Sequence, residues 1–127
     1  MSSANPLAGA GRRILVVEDE FFVADYIAAL LEDLGYAVVG PVQTVSDALQ
    51  AIASDQVDAA LLDANLGTTS SAPIADELAA RRLPFIVVTG YGNLELTAGE
   101  SLQSAPRITK PFNPADFAAM LAKTLAV

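Results

Sequence analysis

The sequence predicts a single α/β domain in which five strands alternate with helices around a parallel sheet. Three observations carry this reading. Short apolar runs recur along the chain, at Ile14–Val17, Ala59–Leu62 and Phe85–Val88, and they have the length and near-continuous hydrophobicity of strands buried on both faces. Stretches with helical periodicity separate them. Polar residues collect where each run stops, which in a parallel sheet is one common edge.

Met1–Gly11 is small, polar and contains Gly and Pro, and reads as a disordered lead to a domain spanning 12–127. Ile14-Leu15-Val16-Val17 is the first strand and ends in Glu18-Asp19-Glu20. Val23, Ile27, Leu30, Leu31 and Leu34 then mark one helical face, closed by Gly35 at the C′ position. Tyr36–Val42 is a second strand, placed at an edge because Gly40-Pro41 interrupts it. Thr44, with Asp47 three residues on, forms a capping pattern for a helix burying Val45, Ala48, Leu49 and Ile52.

The third strand, Ala59–Leu62, ends on Asp63 and breaks into a loop at Gly67. A Ser/Thr-rich loop, Thr68–Ser71, leads to a helix with Ile74 and Leu78 inside and Arg81-Arg82 near its end, where cations suit the dipole. Pro84–Thr89 is the fourth strand, halted by Gly90-Tyr91-Gly92. Over 93–104 the helical signal is weak: Leu94, Leu96 and Leu102 share no stripe and Gly99 lies inside, so a short, irregular or mobile element is expected. Pro106–Thr109 is the fifth strand, and Asn113-Pro114 supplies an N-cap and N1 proline for a last helix burying Phe117, Met120, Leu121 and Leu125.

Composition narrows the chemistry. The 127 residues include no Cys and no His, which removes disulfides, thiolate metal sites, thiol catalysis and a Ser-His-Asp triad. Any metal site must therefore use oxygen ligands, pointing to Mg²⁺, with Mn²⁺ or Ca²⁺ as substitutes. The net charge of −8 argues against nonspecific nucleic-acid binding, which needs a basic surface. No apolar run approaches the ~20 residues that span a bilayer, and the first residues lack the charged-then-apolar order of a signal peptide. A cytoplasmic location is expected.

Glu18, Asp19, Asp63, Thr89 and Lys110 all close strands. Clustered carboxylates repel one another and call for a cation. With a metal bound, one carboxylate can act as nucleophile toward phosphorus. Transferred phosphoryl oxygens then need an ammonium and a hydroxyl, the types Lys110 and Thr89 supply. Taken singly, each residue has an ordinary alternative. The acids can balance a helix dipole, Thr89 can start a turn, and Lys110 can be a surface lysine. Their joint placement at four strand ends is the specific signal.

Ile14-Leu-Val-Val-Glu-Asp-Glu20, Leu61-Leu-Asp-Ala-Asn-Leu-Gly67, Val87-Val-Thr-Gly90 and Thr109-Lys-Pro-Phe112 together resemble the receiver domains of bacterial two-component response regulators, from Arg13 to the end of the chain. The resemblance implies a flavodoxin-like (βα)₅ fold with strand order 2-1-3-4-5. It implies that Asp63 accepts a phosphoryl group from a histidine kinase or phosphotransfer protein. Asp19, Asp63 and the backbone carbonyl of Asn65 would hold Mg²⁺, with Glu18 acting through water. Lys110 would pair with the phosphoryl group, Thr89 would swing toward it, and the Lys110–Pro111 bond would be cis. Such a protein catalyses only its own phosphorylation and dephosphorylation and is not otherwise an enzyme.

Two departures qualify the resemblance. Arg107 stands where the family's switch aromatic is usual, and Gly90-Tyr91 follows Thr89. Thr89-Gly-Tyr91 resembles a subgroup of stand-alone regulators, and makes Tyr91 a candidate reporter with the fourth helix as the moving part. With helical sequence reaching the last residues, no output domain is expected, and output to a protein target through the fourth-helix, fifth-strand, fifth-helix face is expected, without direct DNA or membrane binding. A phosphate sink in a phosphorelay and an unphosphorylated interaction module remain alternatives. A flavin or nucleotide binder fits less well, because acids occupy the loop after the first strand. A phosphohydrolase would want an acid at 65, where Asn stands.

Overall fold

A computed structural model describes residues 11–54, 56–67, 69–89, 105–110 and 112–125. In chain order these form β1 (Arg13–Val17), α1 (Phe21–Asp33), β2 (Ala37–Val42), α2 (Val45–Ser54), β3 (Ala59–Asp63), β4 (Asn65–Leu66), β5 (Thr69–Ser70), α3 (Ala72–Ala80), β6 (Phe85–Thr89), β7 (Arg107–Thr109) and α4 (Pro114–Leu125). The helix counted fifth in the sequence is thus α4. The residues expected to form the weak fourth helix, 93–104, lie outside the described ones, as do Gly90, Tyr91 and Pro111, and with Pro111 the expected cis Lys110–Pro111 bond.

Five strands pair in parallel in the order β2-β1-β3-β6-β7. This is the expected 2-1-3-4-5 arrangement once the separate β4–β5 ribbon is set aside. Side chains alternate along each strand, so the central strands feed two apolar layers. Leu15, Val17, Ala60, Leu62 and Val87 pack with α2 and α3 residues such as Ile52, Ile74 and Leu78. Ile14, Val16, Leu61, Ile86 and Val88 pack on the other face with Ile27 and Leu31 of α1 and Phe117 and Leu121 of α4. Burial on both faces explains why these strands are apolar at every position.

Local signals act as read. The backbone N–H of Asp47 donates to Thr44 Oγ1 at 3.1 Å, and that of Asp116 donates to Asn113 Oδ1 at 2.8 Å, so both helices start at side-chain caps. Arg81 and Arg82 differ from the sequence reading. The last turn of α3 holds no basic residue; Arg81 follows it, donating to Glu77 and to the carbonyl of Ile52, and Arg82 takes a left-handed φ of 59°. The loop 68–71 also differs. Asn65–Leu66 and Thr69–Ser70 pair as an antiparallel ribbon, while the buried Ser71 hydroxyl donates to the carbonyl of Ala64 at 2.9 Å.

The edge strand β2 carries a register shift opposite Leu15–Val17. Gly40 sits there at φ +94°, where an added Cβ would lie 2.7 Å from the backbone nitrogen of Val42 and 3.2 Å from the carbonyl oxygen of Val16. Only glycine fits this close approach. Beyond the bulge the carbonyl of Val42 accepts from the Glu18 N–H at 3.0 Å, so the irregularity sets the end of β1 where the acids begin.

Candidate functional site

The carboxyl ends of β1, β3, β6 and β7 form one edge, and the sequence-predicted residues meet there. Asp63 is the last residue of β3 and pairs in register with Val88, one position before Thr89 on β6. Thr89 in turn pairs with Thr109, and the Lys110 N–H donates to the Thr89 carbonyl at 2.8 Å. Parallel pairing therefore fixes Asp63, Thr89 and Lys110 relative to one another through backbone hydrogen bonds. This is a rigid way to hold a site.

Carboxylate oxygens of Glu18, Asp19 and Asp63 all lie within 4.8 Å of one another. The ammonium of Lys110 sits 3.2 Å from Asp63 Oδ2, 3.1 Å from Glu18 Oε1 and 3.3 Å from Glu20 Oε1. Glu18 is buried, with its Oε2 accepting from the Glu20 N–H at 3.1 Å. Among the described residues its Oε1 has no hydrogen bond, so the Lys110 contact there is ionic rather than directed. Thr89 is fully buried and its Oγ1 likewise has no partner among the described residues. A buried unpaired hydroxyl costs free energy, and this one lies one residue beyond the strand partner of Asp63.

Burial pushes the Glu18 carboxyl up from 4.5 to about 7, helped by the neighbouring Asp63 carboxylate. The Lys110 ammonium moves the other way from what burial alone would give. The charges of Asp63 and Glu18 outweigh desolvation and hold its pKa above the ordinary lysine value. The site is thus short of positive charge. Its donors are all oxygens, three carboxylates converge, and one buried carboxylate oxygen lacks a hydrogen bond, a set that fits a hard divalent cation. Asp19 is half-buried at the mouth, and Asn65 opens the ribbon two residues beyond Asp63.

Glu20 escaped the sequence reading as a site member. The third acid of a run beside a helix start looks like dipole compensation, yet it reaches Lys110, 90 positions away. Ser71 was also missed as the residue that ties the segment after Asp63. Tyr91, the candidate reporter, lies outside the described residues. Arg107 begins β7, half-buried, on the strand whose end carries Lys110.

Comparison with known proteins gives a consistent picture. The sequence profile of the response regulator receiver domain matches residues 14–122. The regulator PhyR of Methylorubrum extorquens is 34% identical over 122 residues, covering 93% of this chain and 45% of PhyR. The regulatory protein VanR of Enterococcus faecium is 31% identical, covering 84% of this chain and 47% of VanR. The chain thus spans about half the length of these relatives. Among solved structures, SdrG from Sphingomonas melonis Fr1 superposes with a TM-score of 0.79 at 39% identity, covering 93% of this chain and 98% of SdrG. A CheY-like receiver domain from Methanospirillum hungatei gives 0.78 at 28% identity, over 91% and 94% of the two chains.

Proposed function

The chain belongs to the response regulator receiver domain family of two-component systems, and on that premise we propose that Asp63 is its phosphoacceptor, charged by a histidine kinase or phosphotransfer protein. A carboxylate oxygen of Asp63 attacks phosphorus in line. The new P–O bond forms as the bond from phosphorus to the donor breaks, and the bonding pair leaves with the donor group. The observation that carries this reading is the Lys110 ammonium 3.2 Å from Asp63 Oδ2 inside a cluster of carboxylates. It is poised to take up charge that develops on the phosphoryl oxygens.

Thr89 supports the same reading. Its Oγ1, without a partner among the described residues, can donate to a phosphoryl oxygen, and doing so would satisfy a group that is costly while unpaired. Asp19, Asp63 and the Asn65 carbonyl would hold Mg²⁺, with Glu18 supporting it through water; when bound, the ion neutralises the carboxylates and phosphoryl oxygens. The protein catalyses only this transfer and its reversal by water. Exposed Phe21 and Phe22 at the start of α1, next to the acids, offer an apolar surface for a donor protein. Output passes to a protein target through the β7–α4 face, with Tyr91 as reporter of Asp63's state. No helix among the described residues is long and apolar enough to cross a membrane.

The test is incubation with Mg²⁺ and acetyl phosphate, followed by intact-mass measurement. A phosphate-mass adduct that disappears in Asp63→Asn is the expected result. Absence of an adduct in folded wild-type protein with Mg²⁺ present would overturn the reading in favour of an unphosphorylated interaction module. Amide resonances of residues 90–104 that stay fixed on phosphorylation would remove Tyr91 and the fourth helix from the switch.

A further inference from the structure

Lys110 is held by three carboxylates, and one of them has no other duty. Glu18 and Asp63 belong to the cluster of converging oxygens, whereas Glu20 does not. Glu20 is the N-cap residue of α1, yet its side chain makes no capping hydrogen bond. It turns instead toward the sheet edge, where Oε1 meets Lys110 Nζ at 3.3 Å while the side chain stays 65% exposed. The other two carboxylates on the ammonium are 1% and 9% exposed. An ammonium has three N–H donors; one is directed at Asp63 and one at Glu20, while Glu18 Oε1 stands 3.1 Å away as an ionic contact, so Glu20 takes a donor that a newcomer would use.

From this we infer that Glu20 is a displaceable anion that occupies the Lys110 donor a phosphoryl oxygen must later take, and so biases the site against highly charged phosphodonors. The inference rests on the phosphoacceptor reading of Asp63 and deepens it, making Glu20 a positioning and selectivity residue rather than a catalytic one. The buried carboxylates cannot leave Lys110 without exposing an uncompensated charge. Glu20 can, because water receives it at the surface. An exposed ion pair is weak, which is what a group that must be displaced at each turnover requires. The same carboxylate adds negative charge at the mouth, where an incoming dianion feels it more than a monoanion does.

Acetyl phosphate and phosphoramidate separate these effects. Both place the same phosphoryl group on Asp63. The P–O bond to acetate breaks with the pair going to acetate in one case, and the P–N bond breaks to release ammonia from an already protonated nitrogen in the other. At neutral pH the first is a dianion and the second a monoanion. Glu20→Gln should raise the phosphorylation rate about fivefold with acetyl phosphate and about twofold with phosphoramidate at low ionic strength. The gap should close at high salt. The Mg²⁺ midpoint should change by less than about twofold, because Glu20 is no ligand. Glu32→Gln, the same charge change at the far end of α1, should alter neither rate.

A second measurement needs no phosphorylation. Reductive methylation of Lys110, followed by mass spectrometry of its peptide, should be several-fold faster in Glu20→Gln. Equal methylation in the variant and wild type, or equal rates with both donors, would overturn the inference. A tenfold loss of Mg²⁺ affinity would do the same by making Glu20 a metal ligand. If the wild-type protein takes no phosphoryl group from either donor, the phosphoacceptor reading fails, while the methylation result still decides whether Glu20 occupies Lys110.

Discussion

Thr89→Val should make the protein more stable while silencing its response to phosphorylation. Thr89 is fully buried at the end of β6 and its hydroxyl has no partner among the described residues. An unpaired buried hydroxyl costs about 1–3 kcal/mol on protein scales. Valine keeps the branched shape that suits a strand and exchanges the oxygen for a methyl group, so a gain of about 1–2 kcal/mol is expected. Thr89→Ala removes the oxygen and also a buried methyl group worth roughly 1 kcal/mol, and should sit near wild type. Thr89→Ser keeps the unpaired oxygen and loses the methyl, and should be the least stable of the series. Urea unfolding in EDTA reads the order directly. With a slope of about 1–3 kcal/mol/M, valine should raise the midpoint by roughly 0.3–2 M without changing the slope. If valine were instead less stable than threonine by about 1 kcal/mol or more, the hydroxyl would have a partner and the argument for its readiness to bind a phosphoryl oxygen would fall. In Thr89→Val the phosphate adduct should still form, but amide shifts away from Asp63 on phosphorylation should shrink.

Glu18 makes metal-free stability depend on pH with a sign opposite to that of most carboxylates. Because its folded pKa is raised from 4.5 to about 7, the folded state holds a proton that the unfolded chain releases between those values. Stability therefore falls as pH rises through that window, by at most about 3 kcal/mol. Urea midpoints in EDTA at pH 5 and pH 8 should show this, Glu18→Gln should flatten it, and saturating Mg²⁺ should oppose it; a flat wild-type profile would contradict the burial of a destabilised acid. Lys110, whose pKa is raised, contributes stability that is complete below the ordinary lysine value and lost only above it, so it leaves this window untouched. Gly40→Ala should cost roughly 2–4 kcal/mol, since φ +94° is strained for alanine and its Cβ would meet the Val42 nitrogen at 2.7 Å; thermal unfolding checks it, and a loss below about 0.5 kcal/mol would mean the bulge relaxes. Asn113→Ala should cost about 1 kcal/mol through loss of the 2.8 Å cap to Asp116, with hydrogen exchange rising first in the opening turn of α4.

The sequence alone was enough for everything set by local pattern. Apolar runs such as Ile14–Val17 are strands because both faces are buried, and periods of three and four make α1 and α4 amphipathic. Thr44, Asn113 and Gly35 act on their own neighbours. The type and order of the strand-end residues were legible for the same reason, since parallel pairing brings every carboxyl end to one edge. What only the tertiary structure decided depends on distances between segments far apart in the chain. Glu18 is an ordinary acid in the sequence; its burial beside Asp63 raises its pKa. Thr89 looks like a turn residue, and only its full burial leaves the hydroxyl without a partner among the described residues. The ribbon at Asn65–Ser70 reads as a polar loop, because two-residue strands have no period to detect. Glu20 looks like a cap, and its pairing with Lys110 exists because parallel strands bring the carboxyl ends of β1 and β7 to one edge of the sheet, where long side chains meet across the intervening strands.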